Sequence, residues 1–278
     1  MRIFKQKTKT DHARVLNELA GVNPQISIIS GRLKFVRDAA TILELRLFAM
    51  KQAIHWHLLG SLVFPMSTFF FARGLSNSDP ESLRRIMVGA LVFGLTLQAV
   101  NAVSMNMISD RFQGRLNLIV TMPVSKFSYA TGMIAYTFVQ ALMTLVILLL
   151  VATLIDIDFK ITWSLLPILA MLITAMSGMG IFMSSFAPSE EVGGVITSMF
   201  SIVMVMISPV FFSMDQAPIA LRYVGYISPV RYAADALNKA LSGNNDVVIE
   251  MIVLGVIGAI GLILGVWKMK WRDLWDSY

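Results

Sequence analysis

The sequence has no cysteine and few charged residues: 14% of its 278 residues are Asp, Glu, Lys or Arg. The absence of cysteine excludes disulfide bonds and thiolate chemistry. The low charge is atypical of soluble domains, in which about a quarter of the residues are charged. Because 56% of the residues are hydrophobic and the mean hydropathy is +0.70, we predict that most of the chain lies in a lipid bilayer.

Charge is missing altogether from five long segments, at 86–109, 127–155, 161–189, 192–214 and 251–267. A helix needs about 20 apolar residues to cross a hydrocarbon core about 30 Å thick. The alternating strands of about 10 residues that build a membrane β-barrel are not found, so we predict an all-α polytopic membrane protein. Its six predicted transmembrane helices are 54–72, 86–107, 131–155, 161–186, 192–212 and 249–267.

The 23 Lys and Arg residues are distributed unevenly between the two sides of these spans. With a cytoplasmic N-terminus, the cytoplasmic side receives ten from residues 1–53, three from the connector 110–126 and three from the tail 268–278. Because cytoplasmic loops carry the excess of basic residues, we predict an N-in, C-in protein of the cytoplasmic (inner) membrane of a bacterium. The net charge of +6 then indicates contact with anionic membrane lipids, and we expect no nucleic-acid partner.

The cytoplasmic extension 1–53 ends in an amphipathic segment, RLKFVRDAATILELRLFAMKQ, at about 32–52. Its apolar residues recur at three- and four-residue spacing; they are Leu33, Val36, Ala40, Leu43, Leu47 and Met50. We predict a helix that lies on the cytoplasmic surface of the membrane. A soluble helix packed on a partner is the alternative.

The connector before the last span contains two short helical patterns at 217–243, separated at Ser228 and Pro229. Ser is a preferred N-cap, Pro is preferred in the first turn, and Gly243 can end the second pattern. Each pattern has about ten residues, too few to cross the bilayer. We predict a re-entrant outer segment whose broken backbone is covered by protein or water.

No enzyme or metal site is indicated by the residue pattern. His55 and His57 are two residues apart, so they do not share a helix face, and no carboxylate is near them. The spans lack the mid-membrane ionisable residues that proton- and ion-coupled carriers use. A transporter of this composition is expected to take its energy from outside the membrane and to bind no cofactor itself.

Amides and methionines are the candidates for a translocation path through the spans. Gln98, Asn101 and Met105 share one face of the second span, and Met199 and Met206 lie in the fifth. Thioethers pack adaptably and suit varied apolar ligands; copper transport is the less favoured interpretation, because no Cys accompanies them. The amides either line the path or hydrogen-bond to a neighbouring helix.

The cytoplasmic connector DRFQGRLNLIVTMPVSK, residues 110–126, interrupts the apolar pattern with one acidic and three basic residues. A short helix here would carry Leu116 and Ile119 on an apolar side, with Arg111 and Arg115 around it. We interpret the connector either as a lever that lies across a partner's groove or as an ordinary basic loop.

Two segments resemble the ABC-2 family of transporter permeases. The connector is similar to the family segment E-R-E-x-G-T-L-E-x-L-x-x-x-P-V-S, with matches at Asp110, Arg111, Gly114, Leu116, Pro123, Val124 and Ser125. Arg115 and Asn117 replace the common Thr and Glu. YISPVRYAADALNKALSG at 226–243 is similar to S-P-x-x-Y-x-x-D-A-L-R-x-x-x-x-G, with matches at Ser228, Pro229, Tyr232, Asp235, Ala236, Leu237 and Gly243.

The resemblance, over about 35–267, implies a permease subunit without its own nucleotide-binding site. It implies two separate ATPase subunits, which hold ATP and Mg, and a second permease copy or paralogue. The connector is then the coupling helix, with candidate ATPase-coupling residues Asp110, Arg111, Gly114, Arg115, Leu116, Ile119, Pro123 and Ser125. The outer gate would consist of Ser228, Pro229, Tyr232 and Asp235. Export of an amphiphilic or lipid-like substrate is implied; a non-transporting scaffold and a membrane-embedded enzyme are the alternatives.

Overall fold

The computed structural model describes residues 32–74, 80–122, 124–154, 159–208, 210, 223, 225, 228–269 and 271. The chain divides into two compact units, Met1–Val36 and Arg37–Tyr278. The packing reported below lies within the second unit.

Helices account for almost all of the described residues. They are α1 (Arg32–Gln52), α2 (Ile54–Gly74), α3 (Pro80–Phe112), α4 (Arg115–Thr121), α5 (Lys126–Leu154), α6 (Leu165–Ser184), α7 (Glu190–Met206), α8 (Pro229–Leu241) and α9 (Val248–Lys268). Within the same residues, β-pairing is limited to an isolated bridge between Lys160 and Ser242. The all-α prediction is confirmed.

Four helices in the described ranges are long and apolar enough to cross a bilayer: Ser82–Phe112 within α3, and the whole of α5, α6 and α9. They coincide with four of the six predicted spans, so the chain is a multi-pass membrane protein. The other two predictions, 54–72 and 192–212, coincide with α2 and with α7, although 209 and 211–212 lie outside the described residues. The six-span topology stays a prediction.

α6 begins at Leu165, four residues later than predicted, because the preceding segment binds the end of α8. The backbone N–H of Lys160 donates to the carbonyl oxygen of Leu241 at 2.9 Å. The Thr162 hydroxyl donates to the carbonyl oxygen of Ala240 at 2.7 Å. These bonds satisfy carbonyl groups that the C-terminus of a helix leaves unpaired.

α3 is the central helix of the bundle and packs on α2, α5, α6, α7 and α8. It is buried on every side from residue 86 to residue 96, which is typical of a helix in the core of a large bundle. α9 packs mainly on α6 and exposes a row of apolar side chains: Ile249, Ile252, Val256, Ile260 and Ile263. Such a row suits a lipid-facing surface.

α1 covers the predicted amphipathic segment, and its position on the membrane surface stays a prediction. Ala39 and Ile42 are buried, as is the predicted apolar residue Met50, whereas Ala40 is exposed. α1 approaches α5 closely at Gly132, where an added Cβ would lie 2.7 Å from Ile42 Cβ. The missing side chain of Gly132 allows α1 to contact the backbone of α5, and this contact sets the rotation of α1.

Candidate functional site

The connector 110–126 joins two membrane helices, α3 and α5, through the short helix α4. Gly114 separates α3 from α4 with φ 75°, a left-handed conformation that glycine adopts without steric cost. The Ser125 hydroxyl accepts a hydrogen bond from the backbone N–H of Ser128 at 3.0 Å and so caps the start of α5. Pro123 lies outside the described residues.

Asp110 is the most buried charged residue of the connector, with 1% of its side chain exposed. Its Oδ2 accepts hydrogen bonds from Arg46 Nη2 on α1 and, at 2.6 Å, from the Tyr129 hydroxyl on α5. Its Oδ1 lies 3.2 Å from Arg115 Nε on α4. Arg46 also donates to Asn106 Oδ1 at 3.1 Å. We call these five residues the Asp110 network.

The two predicted arginines of the connector have different surroundings. Arg111 donates to the carbonyl oxygen of Ala187 at 3.1 Å, in the turn between α6 and α7, and its guanidinium lies 4.7 Å from the Phe112 ring centroid. Arg115 donates to Ser109 Oγ at 2.9 Å, yet half of its side chain remains exposed. Arg115 is therefore available to a partner while also contacting the chain itself.

The apolar side chains of α4 point in two directions. Leu116 is buried, and Ile119 packs against the same apolar cluster as Leu116. Leu118 is 66% exposed and Met122 is also exposed. The candidates Leu116 and Ile119 thus fix α4 to the bundle, and the exposed apolar surface belongs to Leu118 and Met122. Leu118 belongs to α4, and Met122 directly follows its last residue in an extended conformation.

An open groove of about 540 Å³ lies between α3 and α7. Its apolar lining includes the predicted Met105 and Met199, together with Val195 and Ile202. Glu190 and Glu191, in the first turn of α7, also line it. The predicted Met206 is exposed on α7 but does not line this groove.

The predicted amides make contacts between helices. Asn101 Nδ2 donates to Ser201 Oγ at 3.1 Å, and Asn101 Oδ1 accepts from Ser198 Oγ at 3.2 Å. These bonds join α3 to α7 beside the groove. Gln98 Oε1 accepts from Thr144 Oγ1 at 3.1 Å and joins α3 to α5.

One predicted histidine lies in an interhelical polar contact. His57 Nδ1 is 3.2 Å from Gln140 Nε2, and Gln140 Nε2 also donates to the Tyr136 hydroxyl at 3.1 Å. Because an amide nitrogen only donates, this bond requires the tautomer in which His57 Nδ1 carries no proton. In the part of the chain that the structure describes, no three His, Cys, Asp or Glu side chains form a metal-binding group.

The outer-segment candidates lie at the start of α8. Ser228 occupies the N-cap position, and its hydroxyl hydrogen-bonds to the Ser208 hydroxyl after α7 instead of to the helix backbone. Pro229 is buried as the first helical residue, while Tyr232 is partly buried against the apolar core. The preceding part of the predicted segment, 217–222, lies outside the described residues.

Two ion pairs fix the charged residues of α8. Asp235 Oδ2 lies 3.4 Å from Arg231 Nε, one helical turn away. Burial raises the pKa of the Asp235 carboxyl, and the Arg231 guanidinium opposes that rise. Lys239 Nζ donates to Glu250 Oε1 at 2.7 Å and to the carbonyl oxygen of Asp246 at 2.9 Å. α8 is therefore tied to the start of α9.

A comparison with protein families assigns the chain to one family. The model of the ABC-2 type transporter family matches residues 40–241, well over half of the chain, including the connector and α8. No curated protein matches the sequence. ABC-2 permeases work in general with ATPase subunits. The chain therefore belongs to the ABC-2 type transporter family and constitutes its membrane domain.

Proposed function

We propose that this protein is the permease subunit of an ATP-driven exporter in the cytoplasmic membrane of a bacterium. It crosses the membrane six times, with both termini in the cytoplasm. Two separate ATPase subunits bind ATP and Mg, and a second permease copy or paralogue completes the transporter. The substrate is amphiphilic or lipid-like.

The observation that carries this proposal is the surface of α4. This helix is held between two membrane helices. It exposes Leu118 and half of the Arg115 side chain, and Met122 is exposed directly after its last residue. Met and Arg are enriched in protein–protein interfaces relative to the rest of the surface. A partner that moves α4 would move the ends of α3 and α5 directly, because the connector is short and begins and ends in those helices.

The groove supports transport of an amphiphilic substrate. It is apolar and lined by two flexible methionines, which adapt to ligands of different shape. Its carboxylates come from the first turn of α7, on the same side of the bundle as the connector, since Gln113 Nε2 donates to Glu190 Oε1 at 3.2 Å. We propose that substrate enters the groove from the cytoplasmic side.

The test is copurification of the tagged permease with its ATPase from mild detergent. Leu118→Ala is expected to weaken ATPase binding about tenfold, or about 1.4 kcal/mol, because an exposed apolar side chain that the partner would bury is truncated. Leu154→Ala is the matched control: Leu154 is also exposed, at the far end of α5. Wild-type permease that retains no protein with a nucleotide-binding motif would refute the proposed function. Equal retention by the two variants would refute the role of Leu118.

A further inference from the structure

We infer that Asp110 locks α1 to the connector, so that α1, the cytoplasmic end of α3, α4 and the start of α5 move as one rigid body. This inference rests on the proposed function only for its role in coupling; the lock itself is a property of the permease. Arg46 and Tyr129 are then positioning residues that the sequence pattern did not identify.

The first support is the geometry of the Asp110 network. Both carboxylate oxygens of Asp110 are occupied, and their partners come from three further helices: Arg46 from α1, Arg115 from α4 and Tyr129 from α5. A carboxylate this deeply buried is strongly destabilised when its partners leave. Separation of α1 would remove Arg46, the more buried of the two arginines, and separation of α5 would leave the buried carboxylate without one of its hydrogen bonds. Both losses oppose independent motion of these helices.

The second support is apolar packing at the same place. Ile42 of α1, Leu116 of α4 and Tyr129 of α5 belong to one buried cluster. Gly132 brings the backbones of α1 and α5 together one turn away from Tyr129. Packed cores of this kind switch between discrete arrangements and resist gradual deformation. The Asp110 network and the apolar packing thus connect the same four helices, α1, α3, α4 and α5.

The consequence concerns the first predicted span. α1 ends at Gln52, and α2 starts at Ile54 after a single intervening residue. A displacement of α4 by the ATPase would pass through Arg115, Asp110 and Arg46 to α1, and from there to α2. The connector would then move three membrane helices, although only α3 and α5 adjoin it in the sequence.

The absence of cysteine allows a direct test with spin labels. Cysteines replacing Phe48 on α1 and Asn117 on α4, both exposed, would carry the labels in permease reconstituted into lipid nanodiscs. We expect one narrow distance distribution, the same for the permease alone and for the complex with and without ATP. Asp110→Asn and Arg46→Gln should each broaden it, and Arg46→Lys should broaden it less because the charge is kept.

A control variant and a milder variant of the network separate loss of the Asp110 contacts from general misfolding. Lys239→Gln breaks an ion pair at the end of α8 and should leave the distribution narrow. If Asp110→Asn does not fold, Tyr129→Phe removes a single hydroxyl and should still broaden it. Narrow distributions in the network variants, or a shift of the wild-type distance on ATP binding, would overturn the rigid body. Loss of ATPase copurification would refute the proposed function and leave the measurement on the permease alone intact.

Discussion

Met199 and Ile260 are apolar residues of similar exposure, 62% and 52%, in different surroundings. Met199 lines the groove between α3 and α7, whereas Ile260 belongs to the exposed apolar row of α9. If the groove is a water-accessible path, a thiol at 199 ionises and reacts, whereas a thiol in lipid stays protonated and inert.

We therefore predict that Met199→Cys reacts with a membrane-impermeant maleimide in inverted membrane vesicles and that Ile260→Cys does not. The measurement is the labelled fraction of each purified variant, with the cysteine-free parent as blank. Equal labelling of the two thiols would contradict a water-accessible groove at Met199.

The structural role of a single residue could be predicted from the sequence where that role depends on its neighbours along the chain. The start of α7 is such a case, because Ser is a preferred N-cap and the Ser189 hydroxyl accepts a hydrogen bond from the backbone N–H of Val192. Asp110 was recognised as an unusual charge at the end of an apolar helix. Its partners Arg46 and Tyr129 were not, because they are 64 and 19 residues away along the chain and no periodicity links them.

At the scale of elements, α6 and α9 contact each other backbone to backbone. An added Cβ at Gly178 would lie 2.7 Å from the backbone N of Leu262 and 2.8 Å from the carbonyl carbon of Gly261. Backbone atoms cannot rotate away, so any side chain at 178 must separate the helices. Glycine at such contacts lets membrane helices approach closely.

We predict that Gly178→Ala destabilises the bundle by about 1–3 kcal/mol, the usual cost of overpacking. Gly255→Ala on α9 is the matched control, because its added Cβ would meet a single methionine methyl at 3.9 Å. That variant should be neutral or slightly stabilised, since Ala favours a helix over Gly by about 1 kcal/mol. Thermal unfolding in detergent compares the two, and an unchanged melting temperature for Gly178→Ala would contradict the tight contact.

Most elements were predictable from hydropathy, because long charge-free segments have few alternatives to a membrane helix. The rotation of each helix about its own axis could not be predicted in this way. Apolar spacing predicted the apolar face of α1 on the membrane surface, but it did not predict the contact with α5 at Gly132. The apolar residues of α4 likewise divide between bundle and surface, with Leu116 buried and Leu118 exposed. The spacing of apolar residues identifies the apolar face of a helix, whereas contact with a neighbouring helix determines which face is buried.

For the whole molecule, the predicted orientation places the connector and the turn before α9 on opposite sides of the membrane. Gln113 and Asn244 are exposed in these two segments. The basic residues of 1–53 favour a cytoplasmic connector. Three exposed tryptophans, Trp56, Trp163 and Trp267, suit the interfacial regions at the two membrane surfaces.

We predict that an impermeant maleimide labels Asn244→Cys in intact cells and labels Gln113→Cys only after permeabilisation. The cysteine-free parent again provides the blank. Labelling of both thiols from outside would contradict the six-span, N-in topology, because it would put the connector on the outer side.

The Asp110 network also constrains which substitutions are tolerated during evolution. Arg46 satisfies a carboxylate whose remaining contacts come from α4 and α5, so a lone substitution at either position leaves a buried charge without its partner. Homologues are expected to keep both residues or to lose both. The two positions should therefore covary across the family, although one precedes the first span and the other follows the second.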